Sequence, residues 1–214
     1  YLCYKDWSVY LATFAGACVV IACNTATSAA ADYVRAEHPE IPIIGLEPAL
    51  KQAAQFPEAR HVLVMATPVT IHLQKYQDLY DKWGKRVDAS SVVCGGLAGR
   101  IEKGNLDAPD MHELLESLIG KYRGKADSVV LGCTHYPYIA KQIREVLGDV
   151  TLFDGAFGTT RHLAHTLEEH GQLNKPASDG SAGIVKLETS LDTPTERELY
   201  SWFLNQPLEA NELA

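Results

Sequence analysis

Two stretches of this chain are built alike. Val19-Val20-Ile21-Ala22-Cys23-Asn24-Thr25 and Val129-Val130-Leu131-Gly132-Cys133-Thr134-His135 each run two valines, a larger aliphatic, a small residue, a cysteine and two polar side chains. After each comes a helical stretch and then a second short apolar strand, Ile41–Gly45 in the first copy and Val150–Phe153 in the second. A strand returned by a helix to a second strand makes a parallel pair, so the repeat of this β-Cys-α-β unit requires an α/β fold. The uninterrupted apolar runs fit strands covered on both faces. Ligands of such sheets lie at the carboxyl ends of the strands. Two similar halves, each offering one thiol at a strand end, point to a site built between them.

The remaining chain alternates in the same way. Tyr1–Asp6 and Cys18–Ala22 read as strands, with a helix over Trp7–Phe14 between them. A helix over Ala26–Glu37 ends at His38-Pro39, because proline disfavours helix in its predecessor. Ile41–Leu46 is the next strand, and Glu47-Pro48 opens a helix to about Gln55, with proline tolerated in the first turn. His61–Ala66 and Val87–Cys94 are predicted strands, with one helix from Thr67 to about Trp83 between them. Cys94-Gly95-Gly96-Leu97-Ala98-Gly99 reads as a backbone turn, since no Gly-Lys-Ser/Thr follows that would mark a phosphate loop. Asp110–Tyr122 is an amphipathic helix with Met111, Leu114, Leu115 and Leu118 on one stripe. Helices follow over Tyr138–Leu147 and Thr159–Gly171, then a polar loop over Asn174–Gly183, a strand over Ile184–Thr189 and a helix over Thr195–Leu204.

Composition narrows the function. A net charge of −8 argues against a nucleic-acid groove and leaves a small anionic substrate open. The five cysteines, Cys3, Cys18, Cys23, Cys94 and Cys133, include no Cys-x-x-Cys pair, and the odd count fits a reducing, cytosolic setting. No apolar run approaches the roughly 20 residues that span a bilayer.

Cys23, Thr67, Cys94 and Cys133 all follow predicted strands and share one edge of the fold. A thiolate is the reactive form of cysteine, and a helix N-terminus lowers its pKa. Cys23 and Cys133 both precede a predicted helix, so both are candidate thiolates. Two thiols on opposite faces of one substrate suit inversion of a carbon acid, one removing a proton and the other returning one. Asn24, Thr25, Thr134 and His135 add donors able to hold a carboxylate, and His135 is placed to handle a proton two residues beyond a thiol. Thr67 and Thr70 either cap the helix that follows or donate to a ligand. Cys3 and Cys18 read as core residues, and histidines such as His72 and His162 as surface ones.

At these residues the chain closely resembles the bacterial glutamate racemases of the cofactor-independent aspartate/glutamate racemase superfamily. The motifs are Ile21-Ala22-Cys23-Asn24-Thr25-Ala26-Thr27, Ile43-Ile44-Gly45-Leu46-Glu47-Pro48-Ala49, Ala66-Thr67-Pro68-Val69-Thr70 with Tyr76, and Leu131-Gly132-Cys133-Thr134-His135-Tyr136-Pro137. The histidine after Cys133-Thr134 is similar to the glutamate branch, where aspartate racemases usually carry glutamate. The resemblance implies two pseudo-symmetric α/β domains with mostly parallel sheets, residues 1–49 with 160–214 and residues 50–159, and the substrate between them. It implies acid/base roles for Cys23 and Cys133, with His135 assisting Cys133. Asn24, Thr25 and Thr134 would bind the substrate carboxylate and amino groups, with Thr67 and Thr70 contributing. Glu102 matches a family acidic residue after the Gly-rich turn. The implied reaction interconverts L- and D-glutamate for peptidoglycan, in the cytoplasm, in a homodimer, without pyridoxal phosphate, other cofactor or metal.

The sequence also departs from that family. It contains neither the Asp-Ser-Gly that ends the family's first strand nor the Pro-Tyr-Gly substrate loop, which would fall at the Asp6/Trp7 junction. Gly95 stands where proline is usual and Leu73 where a small hydroxyl residue is frequent. Three other readings follow from the residues: another amino-acid or hydantoin racemase, a glutamate-binding regulatory protein without catalysis, and a metal site of Cys23, Cys133 and His135.

Overall fold

The computed structural model describes residues 18–175, 184, 186, 188–189, 191 and 193–206. The strand expected over Tyr1–Asp6, the helix over Trp7–Phe14 and Cys3 lie outside the described residues; of the strand expected over Ile184–Thr189, the described residues 184, 186, 188 and 189 form no strand.

The first β-Cys-α-β unit is β1 (Val19–Ile21), α1 (Asn24–Glu37) and β2 (Ile43–Gly45). The two strands pair in parallel with Ile21 beside Gly45. Val34 and Ile43 form a small core there with Val19, Ile21, Ala30 and Ile41 packed on it. The helix α2 (Leu50–Gln55) leads into a second sheet.

That sheet holds β3 (His61–Ala66), β4 (Asp88–Val93), β5 (Ser128–Gly132) and β6 (Thr151–Phe153) in the order β4-β3-β5-β6. All of its pairings are parallel, as the buried apolar runs require. Alternation along β3 sends Val62 and Val64 to one face and Leu63 and Met65 to the other. The first face packs on Leu50 and Ala53 of α2 and on Tyr76 of α4 (Gln74–Trp83); α4 follows a short α3 (Pro68–His72). The second face packs on α5 (Leu97–Glu102), α6 (Pro109–Ile119) and α7 (Ala140–Leu147). On α6 the fully buried residues are Met111, Leu115 and Ile119, with Leu114 and Leu118 packed beside them. The chain then runs through α8 (Ala156–Glu169) to α9 (Pro194–Asn205).

Three local expectations are corrected. The single helix over Thr67–Trp83 is two helices, because Leu73 is extended at φ −81° and ψ 141°. The Gly-rich turn is shorter than expected: Gly95-Gly96 is a turn, with Gly96 at φ 77° where a side chain would be strained, and Leu97-Ala98-Gly99 already belong to α5. The residues directly after Cys133 make a 3-10 turn, Tyr136–Ile139, and the α-helix begins only at Ala140.

Register aligns the strand ends. Ala66 pairs with Val93 on one side and with Gly132 on the other. Thr67, Cys94 and Cys133, one residue further on, therefore leave the sheet at one level, at its carboxyl edge. Gly132 is required there, since a Cβ at that position would stand 2.6 Å from the Met65 carbonyl oxygen.

Candidate active site at the carboxyl edge

The first thiol sits at the start of α1. Cys23 is its N-cap, and its sulfur accepts the Ala26 backbone N–H at 3.5 Å. The cysteine is exposed, so it meets solvent and the end of the helix dipole together. Asn24, beside it, is 3% exposed, and among the described residues its side-chain carbonyl oxygen has no hydrogen-bond partner. An unpaired buried acceptor is costly, and its position next to a strand-end thiol makes it a natural ligand contact.

Thr25 points across to the second sheet. Its hydroxyl lies 3.0 Å from that of Thr67 and 2.8 Å from that of Thr70, and those two are 2.9 Å apart. Thr67 is also the N-cap of α3, accepting from the Thr70 N–H at 3.3 Å. The capping alternative holds for Thr67, and the three hydroxyls close a ring with one another. A second tie between the halves is Lys75, whose ammonium lies 3.4 Å from Glu47 and 3.8 Å from Asp32.

The second thiol has a different setting. Cys133 is half-buried, and burial pushes its thiol above the ordinary value. The His135 backbone N–H lowers it, while the charges of Cys23 and Glu102 raise it further. The expected helix N-terminus is missing here, so the thiol is not brought down to a thiolate by a dipole. It has a base instead: His135 Nδ1 lies 3.6 Å from its sulfur, and His135 Nε2 lies 2.9 Å from Glu102 Oε1. A carboxylate only accepts, so Nε2–H donates to Glu102 and Nδ1 keeps its lone pair toward the S–H. Such a chain can pass a proton between sulfur and imidazole. Glu102 is 47% exposed, so the bond to His135 serves orientation more than stability.

A charge on Cys23 is near enough to raise the Cys133 thiol. Thr134 stands between Cys133 and His135, half-buried, with no side-chain hydrogen bond to a described residue. Cys94 shares the edge but not the chemistry: it is 2% exposed and burial pushes its thiol up to about 12. Among the described residues no three or more His, Cys, Asp or Glu side chains are arranged to hold a metal ion, so Cys23, Cys133 and His135 are not a metal cluster.

A family model described as Asp/Glu/Hydantoin racemase matches residues 12–163. The chain belongs to that family. Among related racemases, the glutamate racemase of Clostridium botulinum (strain Alaska E43 / Type E3) is 41% identical over 169 residues, covering 78% of this chain and 66% of that protein. The chain thus spans just under two thirds of that relative's length. Glutamate racemase from Thermus thermophilus, solved in complex with beta-chloro-D-alanine, is 30% identical with a TM-score of 0.64, covering 79% of this chain and 64% of that one. Glutamate racemase from Francisella tularensis, solved in complex with D-glutamate, shares the racemase fold at a TM-score of 0.74 and 24% identity, over 98% of this chain and 77% of that one.

Two neighbours of the site carried no signal in the sequence. Phe203 of α9 meets His135 edge to face, with ring centroids 5.8 Å apart. Tyr138 packs on Phe203 at 4.7 Å. Nothing in the spacing of Trp202-Phe203 relates them to a histidine so far back in the chain.

Proposed function

We propose that this chain is a glutamate racemase working through two thiols and no cofactor. The observation that carries the reading is the proton chain Cys133–His135–Glu102 standing in the field of a second strand-end thiol, Cys23. One thiolate takes the α-proton of glutamate, and the bonding electrons stay on the α-carbon and its carboxylate. The opposite thiol then delivers its own proton to the other face, leaving a thiolate there. His135 accepts the Cys133 proton to make that thiolate and returns it in the reverse direction. Asn24 takes the substrate ammonium on its unpaired oxygen. Thr25, Thr67 and Thr70 turn hydroxyls from their ring toward a carboxylate, and Thr134 adds a further donor.

This reading is supported by the racemase family, by the curated relatives and by His135 standing where the glutamate branch has its histidine. The product would be D-glutamate for peptidoglycan, made in the cytoplasm by a homodimer whose substrate lies between residues 1–49 with 160–214 and residues 50–159. The deciding assay is turnover of D- and of L-glutamate in deuterium oxide, with circular dichroism and α-deuteration followed together and aspartate as the control. Loss of optical signal with deuterium at the α-carbon is expected for glutamate alone. Cys23→Ala and Cys133→Ala should each abolish racemisation, because one base cannot serve both faces. Substantial turnover in either variant would refute the two-thiol mechanism.

A further inference from the structure

His135 is held on three sides. Glu102 takes Nε2 at 2.9 Å, and Cys133 faces Nδ1 at 3.6 Å. The third side is Phe203, whose ring stands at 89° to the imidazole. The two polar contacts are weak restraints. The sulfur contact is long, and Glu102 is exposed enough for water to compete. An imidazole turns about two side-chain bonds, so something apolar has to fix it.

The apolar wall is α9. Tyr138 lies 4.7 Å from Phe203, and its hydroxyl donates to the Phe203 carbonyl at 3.3 Å. Trp202 completes the cluster, 4.9 Å from Phe203 and 6.3 Å from Tyr138. The helix is thus docked by aromatic contacts on the turn that follows Cys133, and Phe203 packs with the core beneath β5. We propose that Phe203 is a positioning residue for His135, keeping Nδ1 on the Cys133 sulfur and water off the ring.

The proposal deepens the racemase reading, which gives His135 its task, but its test needs no substrate. The groups facing Cys133 are His135, Glu102, Cys23, Cys94 and Tyr136, with Tyr138 between them and α9. Of these groups facing Cys133, His135 is the one whose ring meets Phe203; the other rings on Phe203, Tyr138 and Trp202, lie on the turn and on α9. A ring free to swing takes its basic nitrogen away from the sulfur, so the Cys133 proton loses the acceptor beside it and that thiol becomes harder to ionise.

The experiment is the pH profile of iodoacetamide labelling of the whole chain, read by peptide mapping at each cysteine. In Phe203→Ala the Cys133 midpoint should rise by about half a pH unit to one unit, slowing labelling below it about three- to tenfold, while Cys23 keeps its wild-type profile. Phe203→Tyr, which retains the ring, should keep the wild-type midpoint at Cys133. An unmoved Cys133 midpoint in Phe203→Ala overturns the proposal. Equal shifts at both thiols also overturn it, being the mark of a loosened fold, as does a Phe203→Tyr shift as large as that of Phe203→Ala. Wild-type turnover of glutamate is measured separately, and its failure would sink the racemase reading without touching these midpoints.

Discussion

Replacing Gly132 with alanine puts a methyl group 2.6 Å from the Met65 carbonyl oxygen and 3.1 Å from the Ala66 Cβ. Neither neighbour is the far end of a flexible side chain. Met65 and Ala66 lie in β3, paired with Leu131 and Gly132, and both are wholly buried. Relief therefore has to come from the backbone of β3 or β5, between β4 on one flank and β6 on the other. Overpacking of this kind costs about 2 kcal/mol, within a range of roughly 1–3 kcal/mol. For a chain of this size that lowers Tm by about 4–8 °C. The strand shift also moves Cys133, the next residue, relative to His135. Urea unfolding followed by circular dichroism gives the energy, and a thermal melt checks it. Gly99→Ala is the control: no heavy atom lies within 4 Å of a Cβ there, the position is inside α5, and alanine should stabilise by about 0.5–1 kcal/mol. A Gly132→Ala protein within about 0.5 kcal/mol of wild type would refute the packing argument.

Alkaline stability follows from Cys94. Its thiol rises from 9.0 to about 12 on folding, so its stabilising effect is complete below about pH 9 and is lost as the pH climbs toward 12. Tyr136 is shifted up by burial in the same sense. Unfolding free energy should therefore fall by about 1.4 kcal/mol per pH unit above pH 9 through Cys94, and by a like slope above pH 10 through Tyr136, and Cys94→Ala should flatten the slope between pH 9 and 10; an unchanged slope would exclude the thiol as its source. Thr70→Val keeps the shape of a fully buried residue but removes its bonds to Thr25 and Thr67, so urea unfolding should report a loss of about 1 kcal/mol, and none would mean that the hydroxyl ring contributes nothing. Arg100 binds both oxygens of Asp110 and the carbonyls of Gly104 and Asn105, and its guanidinium holds the Asp110 carboxyl below the usual range. In Arg100→Ala the Asp110 carbon resonance should titrate at higher pH and the amides of residues 103–109 should exchange faster; an unmoved carboxyl would contradict the contact.

The repeated Val-Val-aliphatic-small-Cys pattern by itself determined the architecture, because a buried run followed by a helix and another buried run has one economical solution, a parallel pair. It also marked Cys23 and Cys133, since a polar group directly after such a run must stand at the strand's carboxyl end. His61–Ala66 was legible to the residue, its apolar run being bounded by an arginine and by a threonine before proline. Helix starts were less so. Gly95-Gly96 reads as a turn, yet Leu97 and Ile101 find a buried face on the sheet, and burial outweighs the poor helix propensity of Gly99. Only the tertiary structure decided what kind of thiol each cysteine is. Cys23 lies open at a helix N-terminus, while Cys133 is half-buried beside an imidazole and Cys94 is sealed in the core. The sequence presents all three alike, after a strand, and their ionisation depends on burial and on charges brought near by the fold. Glu102 on His135, Thr25 on Thr67 and Thr70, and Phe203 on His135 are contacts across long loops. They exist because β3, β4 and β5 end in register and because α9 packs back on the turn after β5, and no local pattern encodes either.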